Sequence, residues 1–316
     1  MSTAFVFPGQ GSQAVGMLAD LAASSPVVEN TFAEASEVLG YDLWERVSNG
    51  PAELLNATEC TQPAMLAAGV ATYRVWREAG GAPPDVVLGH SLGEFTALVA
   101  AGALEFRAAV GLVRLRGQLM QAAMPEGAGT MAAVLGLEDA QVEQASHQAA
   151  EGEIVEAVNF NAPGHVVIAG HTGAVARATA RMKELGAKRA VTLPISVPCH
   201  SSLLEEAASR LRPSIDAAHI GAPHIEFWSP CDVARHHEPA DIADLLQRQL
   251  WQPVRWADAI RRIVENGATR IIECGPGEVL TGLNRRVERR RSDVKCTALI
   301  DLATIKEASG VEVVAP

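Results

Sequence analysis

The strongest local constraint in this chain is a turn centred on Ser91, in the G-x-S-x-G sequence of residues 89–93. The apolar run 86–88 before it predicts a buried strand, and the stretch 95–101 after it predicts a helix. The glycines permit the sharp bend between them. This arrangement is typical of a nucleophilic serine exposed at the end of a sheet. The alternative is a structural serine, because residues 91–94 also fit a helix capping box.

Composition limits the classes of partner. The chain has 316 residues, enough for a large domain and a smaller one, and 48% of them are hydrophobic. Its net charge of −11 argues against nucleic acid and against an anionic membrane surface as partners. Because we find no basic n-region and no apolar run of about 18 residues, we expect neither a signal peptide nor a membrane span.

The cysteines and histidines do not form a recognisable metal or disulfide pattern. The five cysteines are odd in number and widely spaced, so we expect reduced thiols and a cytoplasmic protein. His236 and His237 lie near Cys231, which raises the alternative of a metal site. Adjacent histidines point apart on a strand or helix, so we interpret this stretch as a polar loop and expect no metal.

Residues 128–196 read as a separate unit. The pattern predicts, in order, a strand, a helix, two strands, a helix and a strand, over 130–137, 138–150, 154–160, 165–169, 172–185 and 188–195. This βαββαβ order is that of a ferredoxin-like domain. A helix over 202–211 resumes the larger unit, with Ser202 and Glu205 able to form a capping box. We therefore predict an α/β protein with a large domain, 1–127 and 197–316, and an inserted small domain, 128–196.

The larger unit begins with a strand over 4–7 and is then mainly helical to about residue 80. The predicted helices cover 27–39, 51–55, 63–79 and 106–124, the third with Pro63 in its first turn. Further strands are predicted over 225–228 and 270–273, and a tight turn over 274–277 precedes another helix. After about residue 291 the pattern weakens, and we expect residues 308–316 to be a loose tail.

The loop after the first strand, residues 9–14, formally fits the dinucleotide-binding pattern G-x-G-x-x-A. That pattern requires an acidic residue at the end of a second strand, whereas Glu29 and Glu34 fall in a helical stretch. The alternative is a loop whose backbone N–H groups face an anion at the sheet edge.

Two further residues suit chemistry at Ser91. A serine hydroxyl needs a neighbouring base, and His200, just before a predicted helix, is the best candidate. Arg116 projects from a buried stripe, because its neighbours one helical turn away are all apolar: Leu112, Val113, Leu119 and Met120. A buried guanidinium must meet an anion. That anion is either an internal carboxylate or the carboxylate of a substrate. The planar guanidinium suits two parallel hydrogen bonds to a substrate carboxylate.

Several motifs resemble those of the malonyl-CoA:acyl carrier protein transacylases, in order from residue 4 to about 290. They are Phe7–Gln13, Thr61–Ala64, Gly89–Glu94, Arg116–Gly117, Asn159–Asn161, Val197–His200, Arg248–Leu250 and Gly275–Gly277. The resemblance implies an α/β-hydrolase-like large domain with a ferredoxin-like small domain. It also implies ping-pong transfer for fatty acid biosynthesis. Ser91 would take malonyl from malonyl-CoA and pass it to the phosphopantetheine thiol of acyl carrier protein.

The same resemblance implies roles for individual residues. His200 is the general base and acid, and the backbone carbonyl of Gln249 orients its ring. The backbone N–H groups of Gln10 and Leu92 form the oxyanion hole, at a helix start that favours negative charge. Arg116 pairs with the malonyl carboxylate. The remaining implied substrate contacts are Gln62, Asn159 and Asn161.

The resemblance implies no cofactor, since the coenzyme A thioester is a substrate. Cys199 departs from the family pattern, because many relatives have serine there, and we expect it to be a small filler. Acyl carrier proteins are strongly acidic, as is this chain, so docking requires a local basic patch. The candidates are the pairs Lys188-Arg189 and Arg285-Arg286, with ordinary solvated charges as the alternative. The run Arg289–Arg291 is more typical of a solvated helix end.

Two rival functions stay open at this point. A serine hydrolase would use water instead of a thiol as the final acceptor. A non-catalytic module would bind carrier protein and use Ser91 only as a helix cap.

Overall fold

A six-stranded sheet forms the centre of the large unit in the computed structural model, which describes residues 2–195 and 197–310. In spatial order its strands are β10 (Lys295–Ala298), β9 (Ala268–Glu273), β1 (Ser2–Phe7), β2 (Val86–Gly89), β7 (Glu226–Ser229) and β8 (Ala234–His236). Neighbouring strands are parallel except β7 and β8, which are antiparallel. The central strands are almost wholly apolar because helices cover both faces of the sheet.

Helices pack on both faces of this sheet and form two apolar cores. Phe5, Phe7 and Phe95 lie in one core, and Val6, Leu88 and Trp256 lie in the other. The helices of this unit are α1 (Ala19–Ser24), α2 (Val27–Leu39), α3 (Leu43–Asn49), α4 (Ala52–Asn56), α5 (Thr58–Glu78), α6 (Gly93–Ala100), α7 (Phe106–Ala122), α10 (Glu205–Ala217), α11 (Pro239–Arg248), α12 (Trp256–Glu265), α13 (Val279–Val287) and α14 (Leu302–Ser309). A short 3-10 helix, Ser202–Leu204, precedes α10.

A second, four-stranded antiparallel sheet is formed by the segment between α7 and the 3-10 helix. Its order is β4 (Val155–Ala162), β5 (His165–His171), β3 (Gly129–Leu135) and β6 (Arg189–Thr192). Two helices, α8 (Asp139–Ala149) and α9 (Thr172–Glu184), share an apolar core with this sheet. All six elements occur in the predicted order, although β6 is shorter than predicted because only residues 189–192 pair with β3.

Most predicted elements of the large unit are confirmed, and α2 matches its predicted bounds. The start of α5 was predicted wrongly, since the helix begins at Thr58 and Pro63 lies inside it. The Ala57 carbonyl accepts from the N–H groups of Cys60 and Thr61, which forms a first turn ahead of the proline. The capping box predicted at Ser202 is also wrong, because its N–H and hydroxyl both donate to the carboxylate of Glu156.

The end of the chain is more ordered than the sequence predicted. Both β10 and α14 form there, because Asp301 caps α14 and Ile305 is fully buried. The remainder of the predicted tail, residues 311–316, lies outside the described residues. Sequence reasoning also assigned no element to α1, α3, β8, α11 or α12. His236 is therefore on a strand and not in a loop, and its Nε2 lies 3.0 Å from Oδ1 of Asp232.

Within the described residues, none of the helices combines the length and the apolar character that crossing a membrane requires.

Candidate active site

The turn at Ser91 has the predicted form of a strand, a sharp bend and a helix. Ser91 has a φ of 55°, in the left-handed region that few non-glycine residues adopt. A Cβ on Gly89 would lie 1.9 Å from the carbonyl carbon of Gly93, and one on Gly93 would lie 2.0 Å from the Phe7 oxygen. Both glycines are therefore required by close backbone packing. The capping interpretation is wrong, because α6 begins after Leu92 without a side-chain cap.

The Ser91 hydroxyl instead contacts the imidazole of His200, which is almost wholly buried. Nε2 of His200 lies 2.8 Å from Oγ of Ser91, and Nδ1 lies 2.7 Å from the carbonyl oxygen of Gln249. Since a carbonyl only accepts, Nδ1 bears the proton and Nε2 is free to accept the serine proton. Burial, together with the positive charge of Arg116, lowers the pKa of His200 to about 3. The ring is therefore neutral at physiological pH, as a general base must be.

Arg116 lies at the same point, on α7, and is 1% exposed as its apolar neighbours predicted. Its Nη1 donates to Oε1 of Gln62 at 3.0 Å. Its Nη2 donates to Oε1 of Gln249 at 2.7 Å and to Oγ of Ser91 at 3.1 Å. These partners are all neutral, and its buried Nε has no partner in the described chain. The alternative of an internal carboxylate partner is therefore wrong.

Glu94 is the buried carboxyl group with an electrostatic effect on Arg116, and it is 1% exposed. It accepts a hydrogen bond from the Ser229 hydroxyl at 3.0 Å. Burial raises the pKa of Glu94 to about 8, so this group is mostly protonated at neutral pH. Burial also lowers the pKa of Arg116 to about 10, which still leaves it charged. The guanidinium therefore remains an uncompensated positive charge beside the serine.

Two backbone donors predicted for an oxyanion hole are available. In residues 2–195 and 197–310, the N–H groups of Gln10 and Leu92 donate to no protein acceptor. Leu92 directly precedes α6, whose N-terminus favours negative charge. The loop of Gln10 packs against the turn, since a Cβ on Gly9 would lie 2.5 Å from the His90 oxygen. The first helix after this loop begins only at Ala19, unlike a dinucleotide-binding fold.

A cleft of about 470 Å³ opens next to this turn, between the two sheets. Residues 9–13 and His90 line one side, and Asn159, Asn161 and His165 line the other. Oδ1 of Asn161 accepts from Nε2 of His90 at 2.9 Å, whereas Oδ1 of Asn159 is buried without a partner in the described chain. Of the three predicted substrate contacts, Gln62 thus supports Arg116 and Asn161 supports His90, whereas Asn159 lines the cleft with no partner for its Oδ1 in the described chain.

Sequence reasoning missed several polar groups that support the site. Glu156 on β4 accepts from both the N–H and the hydroxyl of Ser202, each at 2.8 Å. The side chain of Gln249 binds Arg116, although only its backbone was predicted to act. Cys199 has a pKa raised by burial to about 11, so it stays a thiol and is consistent with a filler. These contacts join distant segments and leave no local sequence signal.

The predicted docking residues divide into two groups. A second cavity, of about 520 Å³, is lined by Gly136 and Gly164 of the small unit and by arginines that follow the middle of α13. The side chain of Lys188 packs against Gly136. We define the basic rim as Lys188, Arg189, Arg286, Arg289 and Arg290, all of which are exposed. Arg285 faces elsewhere, since its Nη2 donates to the Cys296 carbonyl, and Arg291 pairs with Asp293.

Comparison with known proteins gives consistent matches over nearly the whole chain. A family model described as the acyl transferase domain matches residues 4–311. The malonyl CoA-acyl carrier protein transacylase of Escherichia coli (strain K12) is 53% identical over 284 residues, which are 90% of this chain and 92% of that protein. The crystal structure of an acyl carrier protein S-malonyltransferase from Vibrio cholerae has a TM-score of 0.94 and 51% identity, covering 98% of this chain and 100% of that one. A malonyl-transacylase in complex with its type II PKS acyl-carrier protein has a TM-score of 0.96 and 48% identity, covering 99% of this chain and 100% of that one.

Proposed function

Because the chain belongs to the acyl transferase domain family, we propose that it transfers malonyl groups from malonyl-CoA to acyl carrier protein in fatty acid biosynthesis. The observation that supports this most directly is the buried guanidinium of Arg116. It lies 3.1 Å from the Ser91 hydroxyl and has only neutral partners. A site built for neutral acyl groups has no use for a buried, uncompensated cation, which costs several kcal/mol (roughly) to desolvate.

In the first half-reaction, Oγ of Ser91 attacks the thioester carbonyl of malonyl-CoA while Nε2 of His200 accepts its proton. The N–H groups of Gln10 and Leu92 stabilise the negative oxygen of the tetrahedral intermediate. When the carbon–sulfur bond breaks, His200 returns the proton to the sulfur of coenzyme A. The product is a malonyl ester on Ser91. The 2.8 Å distance from Nε2 to Oγ supports this proton transfer without rearrangement.

In the second half-reaction, the phosphopantetheine thiol of acyl carrier protein gives its proton to His200 and attacks the ester carbonyl. When the ester bond breaks, His200 returns that proton to Oγ of Ser91. The backbone carbonyl of Gln249 keeps the ring of His200 in the required tautomer in both steps. No cofactor enters this sequence, since coenzyme A leaves as a product.

Arg116 selects the acyl group in this proposal. The malonyl carboxylate would accept a charge-assisted hydrogen bond from Nη2 of Arg116, in place of the contact that Nη2 makes to Oγ of Ser91 in the free chain. Gln62, which accepts from Nη1, and Gln249, which accepts from Nη2, fix the orientation of the guanidinium. Asn159, which lines the cleft and whose buried Oδ1 has no partner in the described chain, is the proposed contact for the pantetheine amides.

The basic rim is the proposed docking surface for the acidic carrier protein. Its arginines Arg286, Arg289 and Arg290 line one cavity, together with Glu138 and Glu288, although the chain as a whole has a net charge of −11. Lys188 packs against Gly136 of the same cavity. Such a local patch steers an acidic partner toward the cleft. Arg285 is the weakest of the predicted docking residues, because its side chain is bound to a carbonyl at the sheet edge. The net charge supports neither nucleic acid nor an anionic membrane as a partner.

We also propose the finer fold assignment, with an α/β-hydrolase-like large domain of residues 1–127 and 197–316 and a ferredoxin-like small domain of residues 128–196. The strand order β4-β5-β3-β6 in the antiparallel sheet supports the ferredoxin-like assignment. A cytoplasmic location is part of the proposal as well. Its support is that the cysteines are free thiols, a state that a reducing compartment preserves.

The proposal is tested by the intact mass of the protein after mixing with malonyl-CoA. The unmodified chain should gain the mass of one malonyl group, and the Ser91→Ala variant should gain none. Addition of acyl carrier protein should then remove the group and yield malonyl carrier protein. Release of free malonate at the same rate without carrier protein would instead identify a hydrolase. Acylation of the alanine variant at the full rate would exclude Ser91 as the nucleophile.

A further inference from the structure

Strand β4 of the small unit contacts three separate segments of the large unit, and all three adjoin the site. Glu156 binds the segment after His200, Val158 and Phe160 bind the segment after Gln249, and Asn161 binds the residue before Ser91. The contacts follow one another along a single strand of eight residues. Strand β4 is held by its pairing with β5, whose register shifts between Ala157 and Asn159 and between Phe160 and Ala162. So anchored, it holds the three segments in position relative to one another.

The contact made by Glu156 bears on the proposed base. His200 has a φ of 65°, so its backbone holds a conformation that surrounding contacts must maintain. Two residues later, Ser202 gives both its N–H and its hydroxyl to the two carboxylate oxygens of Glu156, each at 2.8 Å. On the near side the His200 N–H donates to the Leu250 carbonyl. Glu156 is thus the side chain that fixes the far side of this loop.

The second contact fixes the carbonyl that orients the imidazole. The N–H of Phe160 donates to the Val254 carbonyl at 2.9 Å, and the N–H of Val254 donates to the Val158 carbonyl at 2.8 Å. Val254 lies five residues after Gln249, whose carbonyl accepts from His200. This pair of backbone hydrogen bonds therefore joins the two units on the segment that follows the acceptor.

The third contact fixes the turn. Oδ1 of Asn161 accepts from Nε2 of His90 at 2.9 Å, and the His90 ring also lies 5.4 Å from that of Trp256. His90 immediately precedes Ser91, so its position sets where the serine backbone enters the bend.

We propose that β4 aligns nucleophile, base and base-orienting carbonyl, and that Glu156 is the positioning residue for His200. The inference rests on the proposed function, because alignment matters only if Ser91 and His200 react together. It gives the small domain a direct part in the chemical step, beyond the docking of a carrier protein. A misplacement of about 1 Å in such a pair lowers a rate by roughly 100-fold.

The test compares three variants in a single-turnover assay of acylation by malonyl-CoA. Glu156→Ala removes both hydrogen bonds, and we expect an acylation rate about 30- to 100-fold lower with a KM for malonyl-CoA within about twofold of the original. Glu156→Gln keeps the shape, since its amide oxygen accepts the Ser202 N–H and its amide N–H donates to the Ser202 hydroxyl. We expect its rate within about threefold of the original. The control Asp42→Ala removes a carboxylate that caps α3 away from the site, and its rate should not change.

The pH profile separates alignment from the effect of charge. His200 is faced by Arg116 from α7 and by His90 from the turn, and these groups and burial keep its pKa low. If the loop loosens in Glu156→Ala, water reaches the ring and its pKa rises toward about 6.5. The acid limb of the acylation profile then moves to higher pH. Loss of the carboxylate charge alone would move that limb to lower pH, in Glu156→Gln as well.

The outcomes distinguish this inference from the proposed function. If the unmodified chain is not acylated, the proposed function fails. If it is acylated and folded Glu156→Ala reacts within about threefold of it, or if Glu156→Gln is as slow as Glu156→Ala, the alignment inference is overturned. Where Glu156→Ala does not fold, Ser202→Ala decides. It removes one of the two bonds, so a rate about 3- to 10-fold lower supports the inference and an unchanged rate overturns it.

Discussion

Arginine occurs in two contrasting regions, a buried group that we call the floor of the site and the basic rim. On the floor, which comprises Ser91, Arg116, His200 and Gln249, the guanidinium is 1% exposed and makes three hydrogen bonds to fixed neutral partners. On the rim, Arg286, Arg289 and Arg290 are exposed and have no hydrogen-bonded partner in the described chain. Arginine is thus buried and held by hydrogen bonds in the first region, and exposed to solvent in the second.

This difference in burial determines the step of the proposed reaction that each region can affect. Exposed ion pairs contribute about 0–1 kcal/mol and weaken with salt, so the rim affects encounter with a partner. Truncating one member of a buried charged pair costs about 2–5 kcal/mol, so the floor affects chemistry and acyl selection. Floor variants should therefore change kcat or specificity, and rim variants should change the KM for carrier protein.

The largest effect is expected from His200→Ala, which removes the base from the floor. We expect kcat for malonyl transfer to fall about 1000-fold, because general acid–base catalysis by one side chain contributes about 100- to 10,000-fold. The control is His219→Ala. His219 also has a positive φ, of 50°, but it is exposed at the end of α10. A loss of activity in both variants would attribute the effect to replacing a histidine of positive φ, and not to the imidazole as a base.

Arg116→Ala should reverse acyl selection. The malonyl carboxylate loses its cation whereas an acetyl group loses nothing, so the ratio of kcat/KM for malonyl-CoA to that for acetyl-CoA should fall about 100-fold. The ratio is measured with both thioesters on one enzyme sample. Arg114→Ala, two residues away on the same helix, is the control, because Arg114 donates to the Leu39 carbonyl instead. An unchanged ratio in Arg116→Ala would refute the selection role.

Glu94→Gln tests whether the buried carboxyl group that acts electrostatically on Arg116 makes the stability of the fold sensitive to pH. The pKa of Glu94 is about 8 when folded and about 4.5 when unfolded, so the folded chain binds more protons between these values. Stability therefore falls as pH rises through this range, by roughly 2 kcal/mol between pH 6 and pH 8. Glu94→Gln should remove this decline in Tm. Glu78→Gln, which replaces an exposed carboxylate that also accepts from a serine hydroxyl, should leave it unchanged.

The smallest effect is expected on the rim. Charge reversal of Lys188 and Arg189 to glutamate should raise the KM for acyl carrier protein about 3- to 10-fold at low salt, and the difference should vanish at high salt. The KM for malonyl-CoA should stay the same. Reversal of Arg181 and Lys183, two exposed cations of α9 in the same unit, gives the same change in net charge and serves as the control. Equal effects in both double variants would indicate a general charge effect without a defined surface.

The residues of the floor could be predicted from the sequence better than the residues that hold them in place. The bend at Ser91 and the burial of Arg116 follow from local rules on glycine and helical periodicity, and both are confirmed. The pairing of His200 with Ser91 had no local signal, and it was inferred from the need of serine for a base and from family resemblance. Its 2.8 Å contact agrees with that inference.

What sequence reasoning missed are contacts between distant segments. The side-chain bonds of Glu156 to Ser202 and of Asn161 to His90 join β4 to loops of the other unit. Their partners are 46 and 71 positions away, so no periodicity relates them. The early start of α5 has a different cause, because Pro63 favours a first-turn position whereas a helical turn already forms ahead of it.

The third member of the catalytic group has a consequence for mutational scanning. The acceptor that orients His200 is the main-chain oxygen of Gln249, which every amino acid supplies. An alanine scan will therefore find two indispensable positions where three groups cooperate. It will also mislead at residue 249, since the deleted amide belongs to Arg116 and its phenotype will appear as altered acyl preference. Only an amide-to-ester replacement in the main chain, which weakens the carbonyl as an acceptor, would reveal the missing partner.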